Sequence, residues 1–284
     1  MKEIRIGGVP EHFNLAWYLT LKEKSFQKEG INLRWKNYFG GTGAMNKGLR
    51  EKEIDIAVIL TEGILRDIIL GNPSKIVQVF VKSPLIWGIH VASNSSFQSL
   101  SDLKGKQAAI SRFGSGSHLM AYIHAKNQGW DTTKDLKFRE ISDLEGALKG
   151  LPIGIGDYFM WEKFTTKPYV DNGVFRRLGN CPTPWPCFVI AVRNEVLEKD
   201  PKSIKTILEI INQETKQFKK LPNIENILSN RYNQKTEDVR EWLSLTEWSQ
   251  DQLNETIVLK IQSQLLSINL IDKIIPMETI LYKI

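Results

Sequence analysis

Six short stretches hold the side chains and backbone groups of this sequence that could bind or transform a small molecule. "GGVPEHFN" (7–14) offers Glu11, His12 and Phe13; "FGGTGAM" (39–45) offers Gly41, Thr42 and Gly43; "LTEGIL" (60–65) offers Thr61 and Glu62. "SRFGSGSH" (111–118) sets Arg112, Phe113, Gly114, Ser115, Gly116 and Ser117 ahead of an apolar run. "GDYFMWE" (156–162) supplies Tyr158, Trp161 and Glu162, and "PTPWPC" (182–187) holds Trp185 between two prolines. Glycines and small polar residues before a helix let backbone approach a ligand, and the first helical N–H groups favour a carboxylate, phosphate, sulfonate or polarised oxygen. Ser115 or Ser117 is the expected N-cap, and the same residues would also serve a plain capped turn. Aromatic walls with a few carboxylates suit a flat heterocycle or a cation. If the chain is an enzyme, His12, Glu11 and Glu62 are its acid–base candidates.

Several chemistries are excluded. Neither glycine stretch is followed by GK[ST] or fits GxGxxG, which argues against nucleotide binding. No GxSxG elbow, HExxH or CxxC stands in the sequence, and the four histidines are scattered, so neither a metal nor a cofactor is expected. Cys181 and Cys187 could close a small disulfide loop in an oxidising compartment; two free thiols are the favoured reading, because nothing signals export.

The elements that must position these groups follow from hydrophobic patterning. With 42% apolar and 25% charged residues, the 284-residue chain has the balance of a globular protein with a sizeable core. Its charge of +6 is spread without a basic run, which excludes a nucleic-acid partner. No window reaches the ~18 apolar residues of a membrane helix, so no membrane insertion is expected. The N-terminus enters a strand at once with no signal peptide, which leads us to expect a cytoplasmic protein, or a periplasmic or lipoprotein one if a leader has been removed.

Strands are expected at 4–9, 31–38, 54–60 and 75–81, with helices over 13–30, 41–53 and from a Thr61 cap to Gly71. A second series runs through strands at 86–93, 107–111 and 136–141, helices at 117–129 and 143–150, and a strand-then-helix over 152–164. Strands at 173–179 and 187–194 follow, and the remainder is helical, with Ile204, Ile207, Leu208 and Ile211 on one face. This alternation gives an α/β fold of two Rossmann-like lobes, each a mostly parallel sheet with flanking helices. Lobe I is expected at 1–88 plus 191–284 and lobe II at 89–190, joined by a two-strand hinge near 87–92 and 188–192. Ligands of such sheets sit outside the carboxyl ends of strands, where the six stretches fall.

On "IRIGGVPEHFNLAWYL", "EKEIDIAVILTEGI", "SLSDLKGKQAAISRFGSGSH" and "GDYFMWEKFTTKPY" the chain resembles the type II periplasmic-binding-protein fold over roughly residues 4 to 195. Within it, the chain is similar to the branch of thiamine-pyrimidine and alkanesulfonate/nitrate binding proteins, and to their leaderless intracellular relatives. The resemblance implies two lobes closing over a small molecule by hinge motion, with a transporter permease as partner if the protein is exported; a monomer is expected. It does not extend to the cysteine-rich iron motif of the pyrimidine-synthase relatives. Three functions are therefore weighed: a solute-binding protein without turnover, for a heteroaromatic such as a thiamine-related pyrimidine or a small organic anion; a cytoplasmic enzyme acting on a thiamine-pyrimidine or menaquinone precursor; and a sensory module.

Overall fold

The computed structural model describes all 284 residues, which form two compact units, Met1–Ser83 with Trp185–Ile284 and Pro84–Pro184. In the first, β1 (Lys2–Gly8), β2 (Ile31–Asn37), β3 (Ile56–Leu60), β4 (Ser74–Val81) and β10 (Phe188–Arg193) make a five-stranded sheet of order β2-β1-β3-β10-β4. β1 runs parallel to β2 and β3, whereas β10 is antiparallel to both its neighbours. Strand β3, and β10 up to its terminal Arg193, read as unbroken apolar runs because helices cover both faces of the sheet. Those helices are α1 (Leu15–Lys22), α2 (Ser25–Lys28), α3 (Gly41–Arg50) and α4 (Thr61–Ile69), with α8 (Asn194–Lys199) and α9 (Pro201–Gln217) after the return. The C-terminal elements α10 (Ile224–Tyr232), α11 (Thr236–Leu245), α12 (Glu255–Leu266) and α13 (Met277–Ile280) complete this unit.

In the second unit, β5 (Ile86–Ala92), β6 (Gln107–Ile110), β7 (Lys137–Glu140), β8 (Tyr158–Glu162) and β9 (Phe175–Pro182) take the order β7-β6-β8-β5-β9. Helices α5 (Gly116–Asn127), α6 (Leu144–Gly150) and α7 (Lys167–Asp171) flank it. β6 is parallel to β7 and β8, and β5 antiparallel to β8 and β9. Numbered cyclically from β10 in the first unit and from β5 in the second, both sheets read 3-2-4-1-5, and that first strand is antiparallel to both its neighbours.

That plan moves the expected boundaries. The exchange points are Ser83/Pro84 and Pro184/Trp185, not 88/89 and 190/191. The expected hinge strands are interior strands: β5 pairs on both sides within the second sheet, and β10 on both sides within the first. The helix expected over 13–30 is also broken. Lys24 is left-handed at φ 59, and the turn seats Phe26 of α2 against Trp17, with ring centroids 6.2 Å apart.

At the amino end of β3, Asp55 joins three strands. It accepts from the Arg5 backbone N–H (2.9 Å), Nε (3.0 Å) and Nη2 (2.8 Å), and from Arg193 Nη2 (2.7 Å). Burial alone would raise the Asp55 pKa; the Arg5 and Arg193 hydrogen bonds outweigh it and hold the carboxyl below its usual range.

Candidate functional site

In the first unit the loops after β1, β2 and β3 leave the sheet at its carboxyl edge. β1 ends in glycine because a Cβ on Gly8 would overlap the Trp35 ring. The Asn14 amide donates to the Val9 carbonyl (2.9 Å), closing a turn that buries His12 and Phe13. The His12 ring stacks on Phe13 at 4.7 Å and meets Trp242 of α11 edge-on at 4.4 Å. Burial keeps this imidazole neutral, with its pKa lowered to about 3. Two of the candidates thus belong to an aromatic cluster, and Glu11, which precedes them, is half-buried.

Helices α3 and α4 bring the next two loops together. A Cβ on Gly63 would overlap the Thr42 methyl, and Asn46 Nδ2 donates to the Gly63 carbonyl at 3.1 Å. Gly41, Thr42 and Gly43 form the first turn of α3, which contains no acidic residue. On α4 the N-cap is Leu60, not Thr61. Thr61 is already the first helical residue; its hydroxyl donates to the Pro186 carbonyl (2.6 Å), while its N–H donates to the Cys187 carbonyl (3.0 Å). Beside them the Trp185 indole donates to Glu62 Oε2 at 2.8 Å. Glu62 is 1% exposed, and burial pushes its pKa up to about 7, opposed by its own backbone N–H and by Trp185. Its Oε1 is buried and has no hydrogen-bond partner. Thr61 and Glu62, adjacent at the start of α4, are thus hydrogen-bonded to Trp185, Pro186 and Cys187 from a distant part of the sequence.

In the second unit the stretch after β6 is a serine-built turn. Ser115 is the N-cap of α5, its Oγ accepting from the His118 N–H at 3.3 Å. Ser117 Oγ accepts from the Ser111 N–H (3.0 Å) and lies 3.0 Å from Ser115 Oγ. Gly114, at φ 77, donates to His118 Nδ1 (3.1 Å), and the Phe113 N–H donates to Glu140 Oε1 (3.0 Å). The turn thus engages several of its own donors, while the amides of Gly116 and Ser117, first in α5, precede the intrahelical ladder. No acidic residue stands in that first turn. Arg112 is half-buried and Phe113 is 62% exposed.

The third stretch of this unit divides. Tyr158 opens β8, in parallel register with Ala108 of β6, so it lies toward the amino edge rather than among the loops after β6. It is buried in the core, which raises its phenol pKa. Trp161 packs on Phe159 at 5.2 Å. Glu162, at the carboxyl end, is buried with a raised pKa and accepts from the Thr165 N–H at 2.6 Å, closing the turn after β8. Cys181 and Cys187 are both buried free thiols.

Sequence reasoning missed Trp242, His118, Asn14 and Glu140. Trp242 reaches His12 from a helix more than two hundred residues away, without a local signal. His118 and Asn14 close two of the quoted stretches without having been assigned a role, and the strand end at Glu140 could have suggested that residue. No group of three or more His, Cys, Asp and Glu side chains is placed to hold a metal ion, and no helix is long and apolar enough to cross a membrane.

Comparison with known proteins places this geometry. Residues 87–181 match the family model described as Ca3427-like PBP. The structure superposes on the Candida albicans CA3427 gene product, reported as a protein of the generic periplasmic binding protein fold, with a TM-score of 0.91 and 25% identity, covering 100% of this chain and 97% of that one. The alkanesulfonate-binding protein SsuA of Xanthomonas axonopodis pv. citri, bound to MOPS, matches with a TM-score of 0.85 and 15% identity, over 100% of this chain and 99% of that one. The Bacillus subtilis (strain 168) "Putative aliphatic sulfonates-binding protein" is 23% identical over 220 residues, which are 75% of this chain and 64% of that protein. The match therefore spans less than two thirds of that relative's length. The chain has the periplasmic-binding-protein fold of two α/β lobes expected from its sequence.

Proposed function

We propose that this protein binds a small organic anion, a sulfonate or a similarly shaped carboxylate, closing its two units over the ligand without transforming it. The observation that carries this reading is the charge pattern of three helix starts at strand carboxyl ends. α3 and α5 open without an acidic residue, and the single acid at the start of α4, Glu62, retains its proton up to about 7. Below about pH 7 the positive ends of these helix dipoles are thus clear of fixed negative charge, as an anion requires. The sulfonate-binding relatives support the ligand class, and the fold supports closure.

The enzyme alternative needs an acid or base that titrates where the ligand sits. Of its candidates, His12 is enclosed in an aromatic cluster, while Glu62, which titrates near 7, already holds the Trp185 indole, so recovery of the ligand unchanged is what separates binding from turnover. The test is a thermal-shift and calorimetric screen of alkanesulfonates, carboxylates, phosphonates and thiamine-related pyrimidines. A rise in melting temperature with one-to-one stoichiometry for a sulfonate or carboxylate, with the ligand recovered unchanged, is the expected result. Binding confined to the pyrimidines would replace the anion by the heteroaromatic. Small-angle scattering should show the particle contracting on binding; an unchanged radius would remove the closure.

A further inference from the structure

The segment 185–187, which returns the chain to the first unit, is fastened to the first turn of α4 by three hydrogen bonds. Two are neutral, from Thr61 Oγ1 to the Pro186 carbonyl and from the Thr61 N–H to the Cys187 carbonyl. The third, from Trp185 Nε1 to Glu62 Oε2, ends on a group that can gain or lose a proton. Glu62 is fully enclosed and its Oε1 contacts no donor, a costly arrangement for a carboxylate and a tolerable one for a neutral carboxyl.

The charged groups on the elements packed around α4 leave Glu62 to itself. On α4, Asp67 pairs with Arg50 of α3 and Arg66 donates to the Leu270 carbonyl. Lys47 of α3 pairs with Glu51, Arg193 of β10 with Asp55, and Lys75 of β4 donates to the Glu278 carbonyl on α13. Asp55 precedes β3, and α12 carries Glu255 and Lys260. None of these acts on Glu62; its shift comes from burial, opposed by its own amide and the indole.

We infer that Glu62 is a positioning residue: it holds the Trp185 indole, and through it the 185–187 segment, against α4, and its proton decides how well this edge accepts an anion. The ligand half of the inference rests on the function proposed above; the positioning half does not. Ionised, Glu62 would place a negative charge at the start of α4, against the first turn of α3 through the Gly63–Thr42 contact, and so oppose an anion there.

The test has two arms. In ligand-free protein, the Trp185 indole ¹⁵N–¹H signal, assigned by its loss in Trp185→Phe, is followed from pH 5 to 9. It should shift in one step near pH 7 in the wild type and stay flat in Glu62→Gln, which keeps an acceptor for the indole but cannot ionise. A flat wild-type signal, or the same step in the variant, overturns the positioning role. In the second arm, butanesulfonate affinity is measured over the same range. Wild-type affinity should fall about tenfold per pH unit above the step, as expected if the protonated form alone binds, while Glu62→Gln keeps its low-pH affinity throughout. A pH-independent wild-type affinity overturns the link to the ligand. Failure of butanesulfonate and the other anions to bind at any pH removes the proposed function and that link with it, and the indole titration still decides the positioning role.

Discussion

Gly63 and Thr42 show how closely the loops of the first unit are fitted, since the methyl of one occupies the space a Cβ of the other would need. Gly63→Ala should destabilise the protein by about 1–3 kcal/mol, and adding Thr42→Ser, which removes the methyl, should recover most of that in urea titrations. Ser117→Ala removes the acceptor of the Ser111 N–H and should cost about 1–2 kcal/mol. Buried ionisable groups set the pH profile with opposite signs. His12 and His90 are lowered to about 3 and His124 to about 4, below the 6.5 of free imidazole, so the unfolded chain takes up protons first. Their contribution is whole above about pH 6.5 and is lost on acidification toward those values. Glu62 is raised, so its contribution is whole below 4.5 and is lost as pH rises through about 7. The urea midpoint should therefore fall steeply below pH 6, and Glu62→Gln should lessen the decline from pH 5 to 8 by roughly 3 kcal/mol.

Among the elements, the Asp55 junction ties β1 and β10 to the start of β3. Asp55→Ala leaves Arg193, whose side chain is 8% exposed, without its buried partner and should cost about 3–5 kcal/mol by chemical denaturation, with binding weakened only through lost stability. Elements with a strong local signature were readable in advance. The unbroken apolar runs of β3 and β10 and the serine turn ahead of α5 stand where patterning put them, and Ser115 caps as its chemistry required. What failed depended on tertiary partners. Lys24 turns left-handed to seat Phe26 on Trp17, an outcome no propensity announces. Thr61 stands inside the helix rather than at its cap, with its hydroxyl donated to Pro186, a residue 125 positions away. Tyr158 was grouped with Glu162 because both flank one short motif, but a strand separates its two ends, and register alone tells which end meets the loops.

At the scale of the whole molecule, alternation in the sequence was enough for two α/β units, and the pairing register supplied what alternation lacks. The antiparallel strands β5 and β10 each belong wholly to the sheet they enter, which sets the exchange points at 83/84 and 184/185. Repeating one five-strand plan twice gives each unit its own carboxyl edge, where helix starts free of acidic residues stand in α3 and α5. The most direct test of a binding protein built this way is native mass spectrometry of the protein purified from its own host, followed by release and weighing of whatever it carries. The account predicts one small organic anion per chain, released unchanged and replaceable by an added sulfonate. A carried molecule that the protein converts to a product, or a chain that stays bare and gains no mass from any anion offered, would contradict it.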